Sequence, residues 1–356
     1  MAVTDIESML RDYAGTQPGA AIAVLRRGEP LLLQGSGLAE LDSRTPVTPA
    51  TQFRLASVSK QFTAAALLLL VEEGTLGLDD PVRRWLPTLP PATEGVTLRQ
   101  LLTHTSGIVD FETLIEPERC VPLSDADVLQ LVEREPHLQF PAGTRFRYSN
   151  TGYVLLALVI ERAARCPYSN FLRARVFGRL GMRHAVAHEA AVSVVAHRAF
   201  GYTWDGQGWK RTDQSLTSAT LGDGGIYASV EELARWDAAI DGGQLLPPAR
   251  WQQALSAAVV TGEPGIGYGF GWRVGHDAAW HSGESVGFRN LILRLLKPRL
   301  TVIVLTNRSA PSPHPLAAAL AARHEPQATV PPDQPAAGPD AAAHPLVDAR
   351  SDIMIG

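Results

Sequence analysis

Lysine is nearly absent from this chain of 356 residues, which carries it only at Lys60, Lys210 and Lys297. Cysteine is scarcer still, with Cys120 and Cys166 alone. No disulfide framework is therefore expected, and two unremarkable thiols are the plain reading. Basic charge is not in excess either. The formal net charge is −4, and without a basic stripe nucleic acid is not an expected partner. Long apolar runs are also missing. The longest, Phe62 to Val71 with Thr63 inside it, is too short to span a bilayer, so no membrane partner is expected. The first fifteen residues carry Asp5, Glu7, Arg11 and Asp12. They lack the apolar stretch of a secretory leader, and a cytoplasmic location is the expectation.

What is present describes a globular enzyme-sized chain. A hydrophobic share of 45% with 19% charged residues can bury a sizeable core, as one large domain or two interleaved lobes. Ile6 to Tyr13 reads as a short helix. Two β-type runs follow, Ala21–Leu25 and Leu31–Gly35, with a turn at Gly28 between them. A helix begins near Ser57 and runs to about Glu73, where Gly74 stops it. It is apolar nearly all round and so belongs at the centre of the fold. Short helices and Pro/Gly-punctuated loops fill Asp79 to about Gly181, including an apolar helix from Tyr153 to Ala164. Strand signals return at Tyr268–Val274, Phe288–Leu296 and Thr301–Thr306, and a last helix covers Pro315 to Arg323.

Strands at both ends with helices between imply an α+β fold. Its antiparallel sheet is built from both chain ends, flanked by helices, with an inserted helical lobe. The expected division is one domain over residues 1–323. Its sheet lobe covers about 1–74 and 190–323, and its helical lobe about 75–189. Residues 324–356, rich in Pro and Ala without periodicity, read as a disordered tail.

The chemistry is expected at Ser57-Val58-Ser59-Lys60. A serine hydroxyl is a poor nucleophile until a neighbouring base takes its proton. Residues at i and i+3 share a helix face, so Lys60 can reach the Ser57 oxygen. Neither other lysine follows a serine at that spacing. Tyr148-Ser149-Asn150 precedes the second apolar helix. Ser149, Asn150 or Thr151 could cap that helix. Alternatively the Tyr148 phenol stands beside Lys60 as a proton shuttle while Asn150 holds Lys60 and substrate. Trp280-His281-Ser282-Gly283-Glu284 reads either as a turn with a solvated histidine or as an edge strand beside a cleft. In the second reading Gly283 admits substrate close to the backbone and the Glu284 N–H serves an oxyanion.

These elements in this order resemble the class C β-lactamase-related serine hydrolases, the penicillin-recognising family that includes D-aminopeptidases, D-peptidases and esterases. Phe53–Lys60, Asp80-Pro81-Val82, Leu101–Ile108, Tyr148–Tyr153, Gly222-Asp223-Gly224-Gly225 and Gly269–Trp272 carry the resemblance, over roughly residues 5 to 323. It implies a β-lactamase/transpeptidase-like fold and a two-step acyl transfer without cofactor or metal. Ser57 would be acylated, and Lys60 and Tyr148 would share acid and base duty. Asn150 would orient the acyl group, and the N–H groups of Ser57 and Glu284 would form the oxyanion hole. His281 stands where family lactamases carry the lysine of Lys-Thr-Gly, and His281-Ser282-Gly283 is similar to the His-x-Gly of D-peptidase relatives. A small ester, amide or short peptide, D-configured substrates included, is thus expected as the small-molecule partner. A transacylase using the same acyl-enzyme, a β-lactamase proper and a non-catalytic binding protein are the alternatives. Oligomeric state is left open.

Other signals carry less. Gly283-Glu284-Ser285-Val286-Gly287 spells a nucleophile elbow but is followed by a β-type run, not a helix. His184 and His188 would share a face only if their stretch were helical, and they lack a third ligand. His104 reads as part of a buried turn. The glycines of 265–271 lack the strand-then-helix context of a dinucleotide loop.

Overall fold

The computed structural model describes residues 5–190 and 192–333. An eight-stranded sheet forms its centre, in the order Val259–Val260, Gly267–Tyr268, Arg273–Val274, Ala278–Ser285, Phe288–Leu295, Leu300–Thr306, Ala20–Arg26 and Glu29–Ser36. All neighbours run antiparallel. The join between the chain ends is the ladder pairing Ala20 with Thr306 through Arg26 with Leu300. The α+β architecture expected from the sequence is the one observed.

The central strands are apolar without alternation because both their faces are covered. Ala21, Ala23, Leu25, Ile303 and Leu305 point into the main core with the helices Lys60–Glu72 and Val230–Gly242. Ile22, Val24, Val302 and Val304 point the other way, onto Leu316 and Leu320 of the terminal helix His314–His324 and onto Tyr13. Helix Val230–Gly242, unassigned in the sequence reading, has a full capping box between Ser229 and Glu232 and ends on Gly243 at φ 65°. That Ser-x-x-Glu pattern was the available signal. Asp237 of this helix pairs with Arg294 of the sheet, and Thr301 donates to the same carboxylate at 2.8 Å.

Several boundaries differ from expectation. The run Tyr268–Val274 is not one strand: Gly267–Tyr268 pairs with Arg273–Val274 as a hairpin. Its turn residue Gly271 has φ 79° and packs on the backbone of Lys60 and Gln61. A Cβ there would lie 2.9 Å from those atoms, so only glycine fits. The segment after His324 does not begin as a loose tail. Ala328 and Val330 pack on the sheet cluster, and His314 Nε2 donates to the Pro331 carbonyl at 2.6 Å. Apolar contact outweighs the Pro-rich composition there. The remainder of the expected tail, 334–356, lies outside the described residues. Among the described residues no helix is long and apolar enough to cross a membrane.

Candidate active site

Ser57 lies in a single 3-10 turn, Ala56–Ser59, that feeds directly into the helix Lys60–Glu72. The residue before it, Ala56, is held left-handed at φ 50°. A non-glycine residue stays in that region only where its surroundings dictate it, and such strain concentrates at functional sites. The helix is anchored around the turn. Ser59 Oγ accepts the Ile226 N–H at 3.2 Å, Thr63 donates to the Gly222 carbonyl, and Gln61 accepts the Trp236 indole N–H at 3.1 Å.

Lys60 is fully buried. Its Nζ has three acceptors: Ser57 Oγ at 3.0 Å, Asn150 Oδ1 at 2.7 Å and the Asp223 carbonyl at 2.9 Å. Two of these are carbonyl oxygens, which can only accept. The Ser57 direction is therefore the one along which the roles can reverse. There an ammonium donates, and a neutral amine receives the hydroxyl proton.

Asn150 starts the helix Asn150–Ala164. Its amide orientation is dictated by its neighbours. Nδ2 donates to Glu112 Oε1 at 2.6 Å while Oδ1 receives Lys60, and a flipped amide would set donor against donor. The capping alternative takes an unexpected form. Ser149 occupies the cap position but makes no capping bond. Instead Asp110 reaches across to accept the Asn150 N–H at 2.6 Å, and it also accepts the Glu112 N–H at 3.0 Å. Thr151 accepts the Phe111 N–H at 2.7 Å. Burial, and then the nearby Glu112 charge, push the Asp110 carboxyl up to about 6.

Tyr148 stands beside Lys60, as the motif suggested, with its ring rather than its hydroxyl in contact. Its ring centroid is 5.0 Å from Nζ, and the phenol oxygen is buried without a hydrogen-bond partner. The contact is that of a cation against a π face. The His104 ring lies 4.3 Å from that of Tyr148, and its Nδ1 accepts the Ser149 N–H at 3.2 Å. His104 thus holds the Tyr-Ser-Asn turn in place, in keeping with its reading as a buried turn residue. Burial, reinforced by the Lys60 charge, holds its imidazole well below the usual histidine range.

His281 departs most from expectation, because it is neither solvated nor exposed to a ligand. It is 1% exposed. Nδ1 donates to the Ser282 carbonyl at 2.6 Å, which leaves Nε2 to accept the Tyr268 hydroxyl at 2.9 Å. Burial, then repulsion by Lys60, lower its pKa to about 3. A neutral ring without a free donor cannot hold a substrate carboxylate as lysine would. Because the folded-state pKa lies below the ordinary 6.5, the unfolded chain binds the extra proton. Stability from this group is complete above pH 6.5 and is lost as pH falls toward 3, by about 1.4 kcal/mol per pH unit. His281→Gln is therefore expected to lose less stability than the wild type between pH 6.5 and 4. Urea midpoints that stay parallel over that range would contradict the assignment.

Gly283 brings the strand Ala278–Ser285 against the turn Ala56–Ser59. A Cβ there would overlap the Leu55 carbonyl oxygen and stand 3.3 Å from Val58. Glu284 is exposed, with its carboxylate 3.5 Å from Arg289. The strand is interior to the sheet, yet its site half behaves as an edge. Arg273–Val274 pairs only with Ala279 and Trp280, so His281–Ser285 have a ladder partner on one side alone among the described residues. An extended substrate backbone can add there.

The signals set aside fall elsewhere. Ser285 ends a strand that turns at Gly287 into the strand Phe288–Leu295, so the elbow geometry is absent. The stretch with His184 and His188 contains the strand Val186–Ala187, and no cluster suited to a metal ion occurs among the described residues. Sequence reading missed Asp110, Glu112, Tyr268 and the side chain of Asp223, for which no local pattern spoke.

Residues 6–325 match the Beta-lactamase family. The chain belongs to that family. Penicillin-binding protein 4* of Bacillus subtilis (strain 168) is 31% identical over 316 residues, 83% of this chain and 70% of that protein. The D-aminopeptidase of Gluconobacter oxydans (strain 621H) is 28% identical over 322 residues, 87% of this chain but only 60% of that protein. Among solved structures, the D-amino acid amidase from Ochrobactrum anthropi SV3 superposes with a TM-score of 0.74 at 26% identity, covering 91% of this chain and 98% of that one. As a Beta-lactamase-family chain it shares its sheet with a set that includes peptidases and amidases.

Proposed function

We propose that this Beta-lactamase-family protein is a serine hydrolase acylated at Ser57, acting on a small ester, amide or short peptide, D-configured substrates included. The observation that carries the reading is the Lys60 geometry. Two of its three hydrogen-bond directions end on carbonyl oxygens, and the third meets Ser57 Oγ at 3.0 Å. In the reaction Ser57 Oγ bonds to the carbonyl carbon while its proton passes to Lys60 Nζ. The leaving group takes a proton from the Lys60–Tyr148 side, and water then releases the acyl group. Asn150 holds Lys60 and faces the acyl chain, and the N–H groups of Ser57 and Glu284 receive the oxyanion.

Charge favours this substrate class over β-lactams. The neutral, buried His281 offers no cation for a carboxylate, while Asp110 and Glu112 put acidic groups beside Asn150. A substrate with an ammonium or neutral end near Ser57 suits that polarity. The D-aminopeptidase and D-amino acid amidase relatives support the same class. Cys120 and Cys166 are both unpaired, which suits a cytoplasmic location.

Labelling tests the reading. A fluorophosphonate is expected to modify Ser57, as mapped by mass spectrometry. The label is expected to vanish in Ser57→Ala and to persist in Ser285→Ala. Label on Ser285, or on neither serine, overturns it.

A further inference from the structure

The loop residue that accepts a Lys60 N–H through its carbonyl also carries a carboxyl group that the mechanism above does not use. Asp223 is 6% exposed, and its Oδ1 is buried without a hydrogen-bond partner. Such an atom costs free energy unless something nearby compensates for it. Two buried cations lie on backbone next to it, though neither is hydrogen-bonded to Oδ1. Lys60 is bound at the Asp223 backbone. Arg54, on the short strand Phe53–Arg54 three residues before the nucleophile, is 2% exposed with Nε and Nη1 unpartnered. The strand Ile226–Ala228 that follows Asp223 pairs directly with Phe53–Arg54. The chain therefore brings one carboxylate and two cations together in the same buried layer.

On this arrangement, and resting on the reading of Lys60 as the base, we infer that Asp223 is the counter-ion shared by Lys60 and Arg54. It is a positioning residue whose charge sets the pH at which Lys60 releases its proton toward Ser57. Burial raises the Asp223 carboxyl above the ordinary range; Lys60 pulls it back most, then a hydrogen bond from Thr220, and Arg54 acts more weakly in the same sense. Glu112 opposes them, and Asp125 and Tyr168 also feel the Asp223 charge. Lys60 in turn is faced by His104 and His281, both held neutral, and by the rings of Tyr148 and Tyr153.

The scarcity of lysine makes the test direct. Lys210 and Lys297 are exposed, with side-chain exposures of 63% and 70%. Lys210→Arg, Lys297→Arg therefore leaves Lys60 as the single lysine without disturbing the site. In that background ε-carbon-labelled lysine gives one NMR resonance whose shift follows Lys60 protonation. Asp223→Asn and Asp223→Ala are expected to move that titration to lower pH by about one unit or more, because the ammonium loses its counter-ion. The acidic limb of kcat/KM moves with it. Arg54→Gln is expected to move the titration the opposite way.

If the Asp223 variants do not fold, the comparison of Arg54→Gln with Arg54→Gln, Asp223→Asn replaces them, since the double variant removes both buried charges. The double variant is expected to titrate below the single one. A Lys60 titration unchanged by loss of the carboxylate overturns the inference. The readout needs no turnover, so it can fail while Ser57 is still labelled, or hold while Ser57 is not.

Discussion

Lys60→Met is expected to lower the rate of Ser57 acylation by about a thousandfold, within the range that a positioned general base supplies. Methionine fills the same buried channel but can neither accept the hydroxyl proton nor hold Asn150. The effect on stability is expected to be much smaller. The substitution leaves Asn150 Oδ1 and the Asp223 carbonyl without their donor, at roughly 1–3 kcal/mol each. It also removes a buried charge, whose desolvation costs several kcal/mol, and Asp223 keeps Arg54 as a neighbour. The two terms largely offset, so activity falls far more than the melting temperature. Single-turnover kinetics with an activated ester, beside thermal unfolding, separates them. Acylation within tenfold of wild type would remove Lys60 from the base role.

Gly283→Ala is the second large effect, and it acts through shape alone. The added methyl group would overlap the Leu55 carbonyl oxygen, a backbone atom that cannot rotate away. The strand Ala278–Ser285 must therefore retreat from the turn that holds Ser57 by the order of 1 Å. A displacement of that size near reacting atoms costs about a hundredfold in rate. Overpacking of this kind costs typically about 1–3 kcal/mol of stability. The loss is expected mainly in kcat, since in the proposed mechanism the strand positions the Glu284 N–H for the oxyanion rather than the body of the substrate. A Gly283→Ala enzyme with kcat near wild type would show that this strand does not complete the site.

The Ser57–Lys60 contact was legible because its geometry is local. Ser57 and Lys60 are three residues apart on one helical face, and any chain that makes the helix makes the pair. The sheet was legible for a related reason: apolar runs at both ends of the chain have few ways to be buried other than beside each other. Element details that depend on a single glycine were less legible. Gly271 turned one expected strand into a hairpin because the chain there must pass over the backbone of Lys60. Helix Val230–Gly242 had its Ser229–Glu232 box in plain sight, yet its apolar stripe is interrupted by Asp237, which makes sense only opposite Arg294.

Roles that depend on surroundings were not legible at all. His281 reads in sequence as a solvated turn residue or part of a strand beside a cleft; it lies in a strand, as a buried acceptor, because Tyr268 and the Ser282 carbonyl consume both ring nitrogens. Tyr148 reads as a neighbour of Lys60, but only the structure shows that it meets the ammonium with its ring face. The helix cap expected from Ser149, Asn150 or Thr151 is supplied by Asp110, forty residues away. By itself, then, the sequence determined the α+β fold, the family and the Ser57–Lys60 pair, all of which follow from spacing and hydrophobic pattern. Only the tertiary structure decided which groups near that pair are charged, because burial and contacts made across 90 and 163 residues of chain set the cost of each charge.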